Sequence, residues 1–310
     1  MEEIIYVVGH KNPDTDSICS AIAYANLKNL QGEKNVKPAR AGELNLETKY
    51  VLSQFNFPVP ELITDATNKK LIIVDHNEVG QAVANIDKAD ILEVWEHHRI
   101  GDLQTPKPIF FHCEPVGSTA TLIAELYFNK NIKLTREMAG ILLASILSDT
   151  VIFKSPTCAE KDKQIAAKLQ PIANIDMESF GIEMFKAKAN LAAKSAREIL
   201  NTDFKEFNFA GNKVGIAQIE VMETSEVKKK KAEILREMEK ARAERGLVQV
   251  ILMVTDIMKE ASELWFVGDK KEVFEKAFGK KVVDNAIYLE KVMSRKKQVV
   301  PPLETTFKAS

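Results

Sequence analysis

The sequence predicts an α/β protein of two domains, and three observations carry that reading. The chain has 310 residues, while single domains usually run to roughly 100–200. Its first part alternates short β-branched runs with helical patterns, as a parallel sheet with covering helices requires. Past Gly117 the pattern turns helical, and strands return only at Phe204, within a second α/β unit. Composition agrees: 45% hydrophobic and 28% charged residues are globular proportions, which exclude a disordered, collagenous or disulfide-stapled chain.

Taken in order, the first strand is Ile4-Ile5-Tyr6-Val7-Val8, an apolar run suited to a buried strand. It leads into the loop Gly9-His10-Lys11-Asn12-Pro13-Asp14-Thr15-Asp16, and an alanine-rich helix is expected from Ser17 to Leu30. A second strand, Leu71 to Val74, ends at Asp75-His76, and a third, Ile91 to Trp95, ends at Glu96-His97-His98. Each strand thus delivers polar residues at its carboxyl end, where open α/β sheets bind their ligands. Helices follow at Ser118 to Phe128 and Thr135 to Leu147, then one capped by the box Thr157-x-x-Glu160, then Met177 to Lys186 and Asn190 to Leu200. Strands Phe204 to Phe209 and Val214 to Val221 flank the hairpin signal Gly211-Asn212. A charged helix from Ser225 to Arg245, strands Val248 to Thr255 and Glu263 to Val267, and the segment Ala286 to Ser294 complete the second unit. The boundary falls near residues 187–192, giving domains 1–188 and 193–310.

The 43 basic and 44 acidic side chains leave a net charge of −1. Binding of nucleic acid or anionic membrane by bulk electrostatics needs a basic excess, so neither is expected as a partner. The run Lys228 to Lys231 does not alter this. Val227, Ile234, Leu235, Met238 and Ala241 form one apolar stripe, which makes the lysines the solvated face of an amphipathic helix. Cys19, Cys113 and Cys158 are widely spaced and odd in number, reading as buried thiols of a reduced compartment. The acidic start Met1-Glu2-Glu3 is not a signal peptide. The longest strongly apolar uncharged stretch, Met138 to Ser148, falls far short of the roughly 20 residues of a membrane span. A cytoplasmic location follows by default.

The chemistry concentrates at the strand ends. His10, Asp14 and Asp16 form an H-x-x-x-D-x-D pattern whose mixed nitrogen and oxygen donors suit Mn²⁺ or Co²⁺ better than Mg²⁺. Taken alone, the two aspartates are equally well explained as helix N-capping residues. The balance shifts because Asp75-His76 and His97-His98 repeat the theme, Asp149 follows the apolar helix, and four of the five histidines lie in these loops. His76 and His112 are the ones best read as structural. Asp14, Asp16, Asp75 and Asp149 bring four negative charges, which two divalent cations would neutralise. A water shared by such ions is a strong nucleophile near neutral pH, most often toward phosphorus. The second domain offers cations instead: Ser294-Arg295-Lys296-Lys297-Gln298 is either solvated surface or a phosphate grip, for which the arginine fork is well shaped.

Six motifs in order along essentially the whole chain resemble the family II, manganese-dependent inorganic pyrophosphatases of the DHH phosphoesterase superfamily. They are Gly9-His10-Lys11-Asn12-Pro13-Asp14-Thr15-Asp16-Ser17, Val74-Asp75-His76-Asn77-Glu78, His97-His98-Arg99, Pro115-Val116-Gly117-Ser118-Thr119-Ala120, the pair Ser148-Asp149-Thr150 and Lys154-Ser155-Pro156-Thr157, and Ser294-Arg295-Lys296-Lys297-Gln298. The resemblance implies a Rossmann-like DHH domain with a parallel sheet, a smaller C-terminal mixed-sheet α/β domain, an active site at their interface and a homodimer formed through the first domain. It implies that His10, Asp14 and Asp75 bind one Mn²⁺ and that Asp16, Asp75, His97 and Asp149 bind the other, with Co²⁺ as a substitute. It further implies that a Mg²⁺ or Mn²⁺ enters with the substrate, and that His98, Lys205, Arg295 and Lys296 hold pyrophosphate as a metal-bridging hydroxide hydrolyses it to two orthophosphates. One departure is Glu96, where the superfamily motif has Asp; it bears on the placement of His97. Two rivals are weaker. A nucleotide phosphodiesterase of the superfamily would carry a glycine-rich motif in the second domain, where the glycines are isolated; cleavage of short polyphosphates is a side reaction at most. A nucleotide sensor needs an insert that the 58 residues between Asp16 and Asp75 do not accommodate.

Overall fold

The structure, a computed structural model, describes residues 3–309. Met1 and Glu2 of the acidic start, read above as no signal peptide, lie outside them. The chain divides into two compact units, Met1–Lys188 and Ala189–Ser310.

The first unit comprises β1 (Ile5–Val8), α1 (Thr15–Leu30), β2 (Val36–Arg40), α2 (Leu46–Gln54), β3 (Glu61–Leu62), β4 (Lys70–Val74), β5 (Asp90–Glu96), β6 (Phe110–Cys113), α3 (Thr119–Asn129), α4 (Arg136–Asp149), α5 (Glu160–Ala173) and α6 (Met177–Ala189), which ends at the unit boundary. Its sheet has the order β3-β2-β1-β4-β5-β6, and every pairing is parallel. This is the doubly wound arrangement. Strand order reverses between β1 and β4, and the loops leaving their carboxyl ends diverge to leave a ligand crevice. Leu71, Ile72, Ile73 and Val74 of β4 are all buried, as a central parallel strand covered on both faces requires.

The second unit holds α7 (Ala196–Asn201), β7 (Phe204–Phe209), β8 (Asn212–Val221), α8 (Ser225–Lys229), α9 (Lys231–Arg245), β9 (Gln249–Asp256), β10 (Ala261–Gly268), α10 (Lys271–Phe278), β11 (Ala286–Glu290) and α11 (Val300–Lys308). Its sheet, β11-β10-β9-β8-β7, is mixed: β8 and β9 are parallel and the other neighbours antiparallel. Period-two alternation fills both faces. Ala217, Ile219, Val250, Leu252 and Trp265 pack with Ile234 and Met238 of α9, while Ile216, Ile251, Met253, Leu264 and Phe266 pack with Phe274 of α10 and Leu303 of α11.

Several expectations are corrected. Helix α5 starts at Glu160, with Ala159 at its cap position. The buried Asp162 carboxylate accepts from the Ala159 and Gly117 amides and the Thr121 hydroxyl, so it sets the helix start in place of Thr157. Asn190 adopts a left-handed φ of 46°, and α7 begins only at Ala196, beneath a Ser195–Glu198 capping box. The hairpin turn is Ala210-Gly211, both with positive φ, and Asn212 already pairs with Phe209. The charged helix breaks at Lys230, whose ammonium donates to the carbonyls of Leu191, Ala192 and Lys194 and so is no mere solvated charge. Of the cysteines, all free, only Cys19 is buried; Cys113 is exposed on β6 and Cys158 is half-buried. Among the described residues, no helix is long and apolar enough to cross a membrane.

Candidate metal centre

Three loops leaving β1, β4 and β5, together with the end of α4, bring six side chains to the crevice. The first loop ends where Asp14 caps α1, its carboxylate accepting from the Ser17 amide at 2.9 Å. Capping and clustering are therefore not alternatives for this residue: one oxygen caps while Oδ2 faces His10 Nε2 at 3.5 Å. Asp16, fully buried, is held by α3. Its Oδ1 accepts from the Ser20 and Ser118 hydroxyls and the Ala120 amide, and its Oδ2 from the Thr119 amide at 2.6 Å. The N-terminus of α3 is thus an anion-stabilising site filled by a carboxylate.

Asp75, directly after β4, has φ = 64°, a left-handed conformation uncommon outside glycine. Its two oxygens point at different neighbours: Oδ2 lies 3.4 Å from His10 Nε2, and Oδ1 lies 3.2 Å from His97 Nε2. His97 Nε2 is also 3.9 Å from Asp16 Oδ2 and from Asp149 Oδ2. Asp149 is the last residue of α4, followed by a left-handed run at Val151, Ile152 and Phe153 that turns the chain sharply away. Three groups of metal-capable atoms result among the described residues: His10–Asp14–Asp75 and Asp16–Asp75–His97–Asp149, which share Asp75, and Asp75–Glu96–His97–His98, whose Glu96 is taken up by the loop amides, Asn77 and His98.

The electrostatics are those of a site short of positive charge. Burial and the neighbouring Asp16 and Asp14 push Asp75 up to about 7, and the same causes raise Asp149 well above the carboxylate range. Burial disfavours charge on His10 and His97, yet the carboxylates facing them outweigh it and raise them to about 10 and about 9. Burial opposes ionisation of Asp14 too, but His10 and the Ser17 amide hold it below the usual range. Divalent cations would satisfy all four carboxylates at once. The buried atoms His10 Nδ1, Asp75 Oδ2 and His97 Nε2 have no hydrogen-bond partner. Adjacent ligands of a small divalent ion stand about 3 Å apart, close to the spacings across Asp75. The residues present therefore fit metal binding, with mixed donors suited to manganese.

The surroundings orient this set. His97 Nδ1 donates to the Val116 carbonyl at 3.0 Å, which directs Nε2 to the carboxylates. Glu96 accepts from the backbone amides of His97 and His98, from Asn77 and from His98 Nδ1. Its longer side chain therefore serves the loop backbone and His98, and the placement of the His97 ring depends on Val116. The Glu96 carboxylate raises the half-exposed His98, favouring its cationic form, although partial burial opposes this. His76 is buried, bonded to the Val74 carbonyl, and pushed down to about 4 chiefly by burial, which is the structural histidine expected. His112 lies on β6, away from the cluster, against Trp95. His10, Asp14, Asp75, His98 and Asp149 line a cavity of about 840 Å³, with Thr157 also in its wall.

In the second unit, Lys205 lies on β7 and Arg295 and Lys296 on a single π-helical turn, Arg295–Val299. Arg295 is buried: Nη1 donates to the Asp203 and Ile216 carbonyls and Nη2 to the Asp203 carboxylate at 2.7 Å. The same carboxylate stands 3.7 Å from Lys205 Nζ. Gln298 fixes the turn by accepting from the Met293 and Ser294 amides and donating to the Lys291 carbonyl. Asp203 and Gln298 were given no role from sequence. Asp203 stands two residues before Lys205, and only its contact with residue 295 reveals it.

A doubly wound sheet with a shared-aspartate cluster at its carboxyl edge defines a metal-binding protein of the DHH class, and comparison with known proteins agrees. The family model "DHH family, N-terminal domain" matches residues 4–146, and "DHHA2 domain" matches residues 182–306. The chain is 59% identical over 310 residues to the manganese-dependent inorganic pyrophosphatase of Methanothrix thermoacetophila, covering 99% of this chain and 100% of that protein. It is 43% identical over 305 residues to that of Bacillus subtilis, covering 98% of each. A crystal structure from Methanococcus jannaschii assigned to the family II inorganic pyrophosphatases superposes with a TM-score of 0.61 at 47% identity, covering 98% of this chain and 100% of that one. The chain belongs to the manganese-dependent, family II inorganic pyrophosphatases.

Proposed function

We propose that the protein hydrolyses inorganic pyrophosphate to two orthophosphates. The observation that carries this is Asp75, with one oxygen toward each of two ligand groups. Residues 1–188 act as the metal-binding catalytic domain and 193–310 as the substrate-binding domain. His10, Asp14 and Asp75 would hold one Mn²⁺, and Asp16, Asp75, His97 and Asp149 the other, with Co²⁺ as a substitute and a further Mg²⁺ or Mn²⁺ arriving with the substrate. When bound, the ions supply Lewis acidity and an acidified water. The water oxygen bonds to one phosphorus, the bond from that phosphorus to the bridging oxygen breaks with its electron pair on the oxygen, and the water's protons end on the two orthophosphates.

This chain's residues do the holding and orienting. His98, in the cationic form that Glu96 favours, neutralises phosphoryl charge; Lys205, Arg295 and Lys296 hold the phosphates, the arginine by its planar fork. Arg295 and Lys205 are already gathered on Asp203, which spares reorganisation when a phosphate replaces that carboxylate as their partner. A homodimer through the first domain is supported by β6, which ends its sheet and exposes Phe110 and Phe111. Three unpaired cysteines support a cytoplasmic location. The test is phosphate release from pyrophosphate by the purified chain loaded with Mn²⁺. Turnover is expected with Mn²⁺ or Co²⁺, and none by the loaded protein would refute the proposal.

A further inference from the structure

We propose that Glu47 is a positioning residue of the metal centre, tying together the two backbone segments that carry Asp14, Asp16 and Asp149; this rests on the metal-centre reading above. Glu47 is the second residue of α2, and no motif includes it. Its side chain is nevertheless fully buried. A carboxylate leaves water at high cost unless it is paired and hydrogen-bonded, and Glu47 is supplied from three sides. The Thr15 hydroxyl donates to Oε1 at 2.7 Å, the Ser148 hydroxyl donates to the same oxygen, and Lys188 Nζ lies 3.1 Å from Oε2.

The identity of these donors is what matters. Thr15 stands between Asp14 and Asp16, and Ser148 immediately precedes Asp149. One carboxylate oxygen therefore clamps the start of α1 to the end of α4. A second set of bonds reinforces the clamp, with the Ser145 hydroxyl donating to the Thr15 carbonyl at 3.1 Å and the Thr48 and Thr15 hydroxyls 3.2 Å apart. Glu47 belongs to none of the metal-capable groups among the described residues, so it acts through the ligands' backbone. Asp149 needs such an anchor, because the chain after it enters the left-handed run at residues 151–153, which has no glycine to relieve it. A further negative charge beside an acidic cluster would otherwise weaken the fold, and Lys188 offsets it.

The test is Mn²⁺ titration of the metal-stripped full chain by calorimetry, with the Mn²⁺ paramagnetic resonance spectrum as a second readout. Glu47→Gln, which keeps the shape and removes the charge, is expected to weaken Mn²⁺ binding about 10- to 100-fold and to change the spectrum. Leu52→Ala, a buried cavity variant on the same helix, is expected to lower the unfolding midpoint of the metal-free protein and leave Mn²⁺ affinity unchanged. If Glu47→Gln does not fold, Thr15→Val replaces it, with Thr15→Ser expected to rescue Mn²⁺ affinity. Wild-type affinity in Glu47→Gln, or equal losses in Glu47→Gln and Leu52→Ala, overturns the role of Glu47 alone. Absence of Mn²⁺ binding by the wild type overturns the metal centre itself, and the role of Glu47 with it.

Discussion

Replacing Asp75 by alanine is the sharpest test of the centre, because Asp75 alone belongs to both His10–Asp14–Asp75 and Asp16–Asp75–His97–Asp149. Its Oδ2 faces His10 at 3.4 Å and its Oδ1 faces His97 at 3.2 Å, so the substitution removes one donor from each group. Structural Zn²⁺ bound by four protein ligands is worth roughly 10–16 kcal/mol, or about 2.5–4 kcal/mol per ligand; Mn²⁺ binds the same donors more weakly, so loss of one donor should weaken each site on the order of 10²-fold. Asp14 belongs to the first group only, so Asp14→Ala should weaken one site by a similar factor and spare the other. Equilibrium dialysis with counting of bound Mn²⁺ distinguishes the two patterns: at a concentration saturating the wild type, Asp75→Ala should hold almost no metal, whereas Asp14→Ala should hold about half. Asp75→Asn separates charge from shape and should fall between wild type and alanine. An Asp75→Ala variant that retains two tightly bound ions would refute the bridging role. Loss of both ions in Asp14→Ala would show that the sites are not separable as the geometry divides them.

Arg295→Ala should leave Mn²⁺ stoichiometry unchanged and raise KM for pyrophosphate roughly 10- to 100-fold, the worth of a hydrogen bond to a charged group; equal loss of metal and substrate binding in steady-state kinetics and dialysis would contradict a substrate role. Glu93 resists ionisation through burial, but Lys28, the Tyr24 hydroxyl and Trp95 outweigh this and hold it below its usual range. Its folded-state value is thus lower than its unfolded one, so its stabilisation is complete above the unfolded value and is lost as pH falls through the folded one. Glu93→Gln should therefore lower urea stability at neutral pH and narrow the difference from wild type in acid; a difference that does not depend on pH would refute the linkage. Glu96→Asp should leave Mn²⁺ affinity nearly unchanged, since Val116 aligns His97, and should alter KM through His98; a change confined to Mn²⁺ affinity would reverse that assignment.

What was legible in the sequence follows from which forces are local. The central strand β4 was visible because a strand buried on both faces must be apolar, and β1 and β5 because their apolar runs are unbroken or interrupted only by Glu93. The ligand types stood out because histidine and aspartate have no packing reason to recur at such strand ends. By contrast, β2 carries Pro38 and Lys37 within Val36–Arg40, which blurs the strand signal although Pro38 pairs with Val7. The short edge strand β6 exposes its phenylalanines and was missed as well. Local motifs misled where a distant partner was stronger: the Thr157 box lost to Asp162, which is already engaged by Gly117 and Thr121.

The centre's supports are likewise non-local. Asp16 is held by the start of α3, about 100 residues onward, and Glu47 by Thr15 and Ser148; none of these pairings leaves a periodic trace. Val116 is the extreme case. It orients His97 through a backbone carbonyl, which every residue possesses, so no side-chain pattern could reveal it. This also settles why glutamate serves at position 96. The carboxylate there answers two backbone amides and His98, so one added methylene is absorbed by the loop, whereas the His97 nitrogen that faces Asp75 is aimed from a different strand exit altogether.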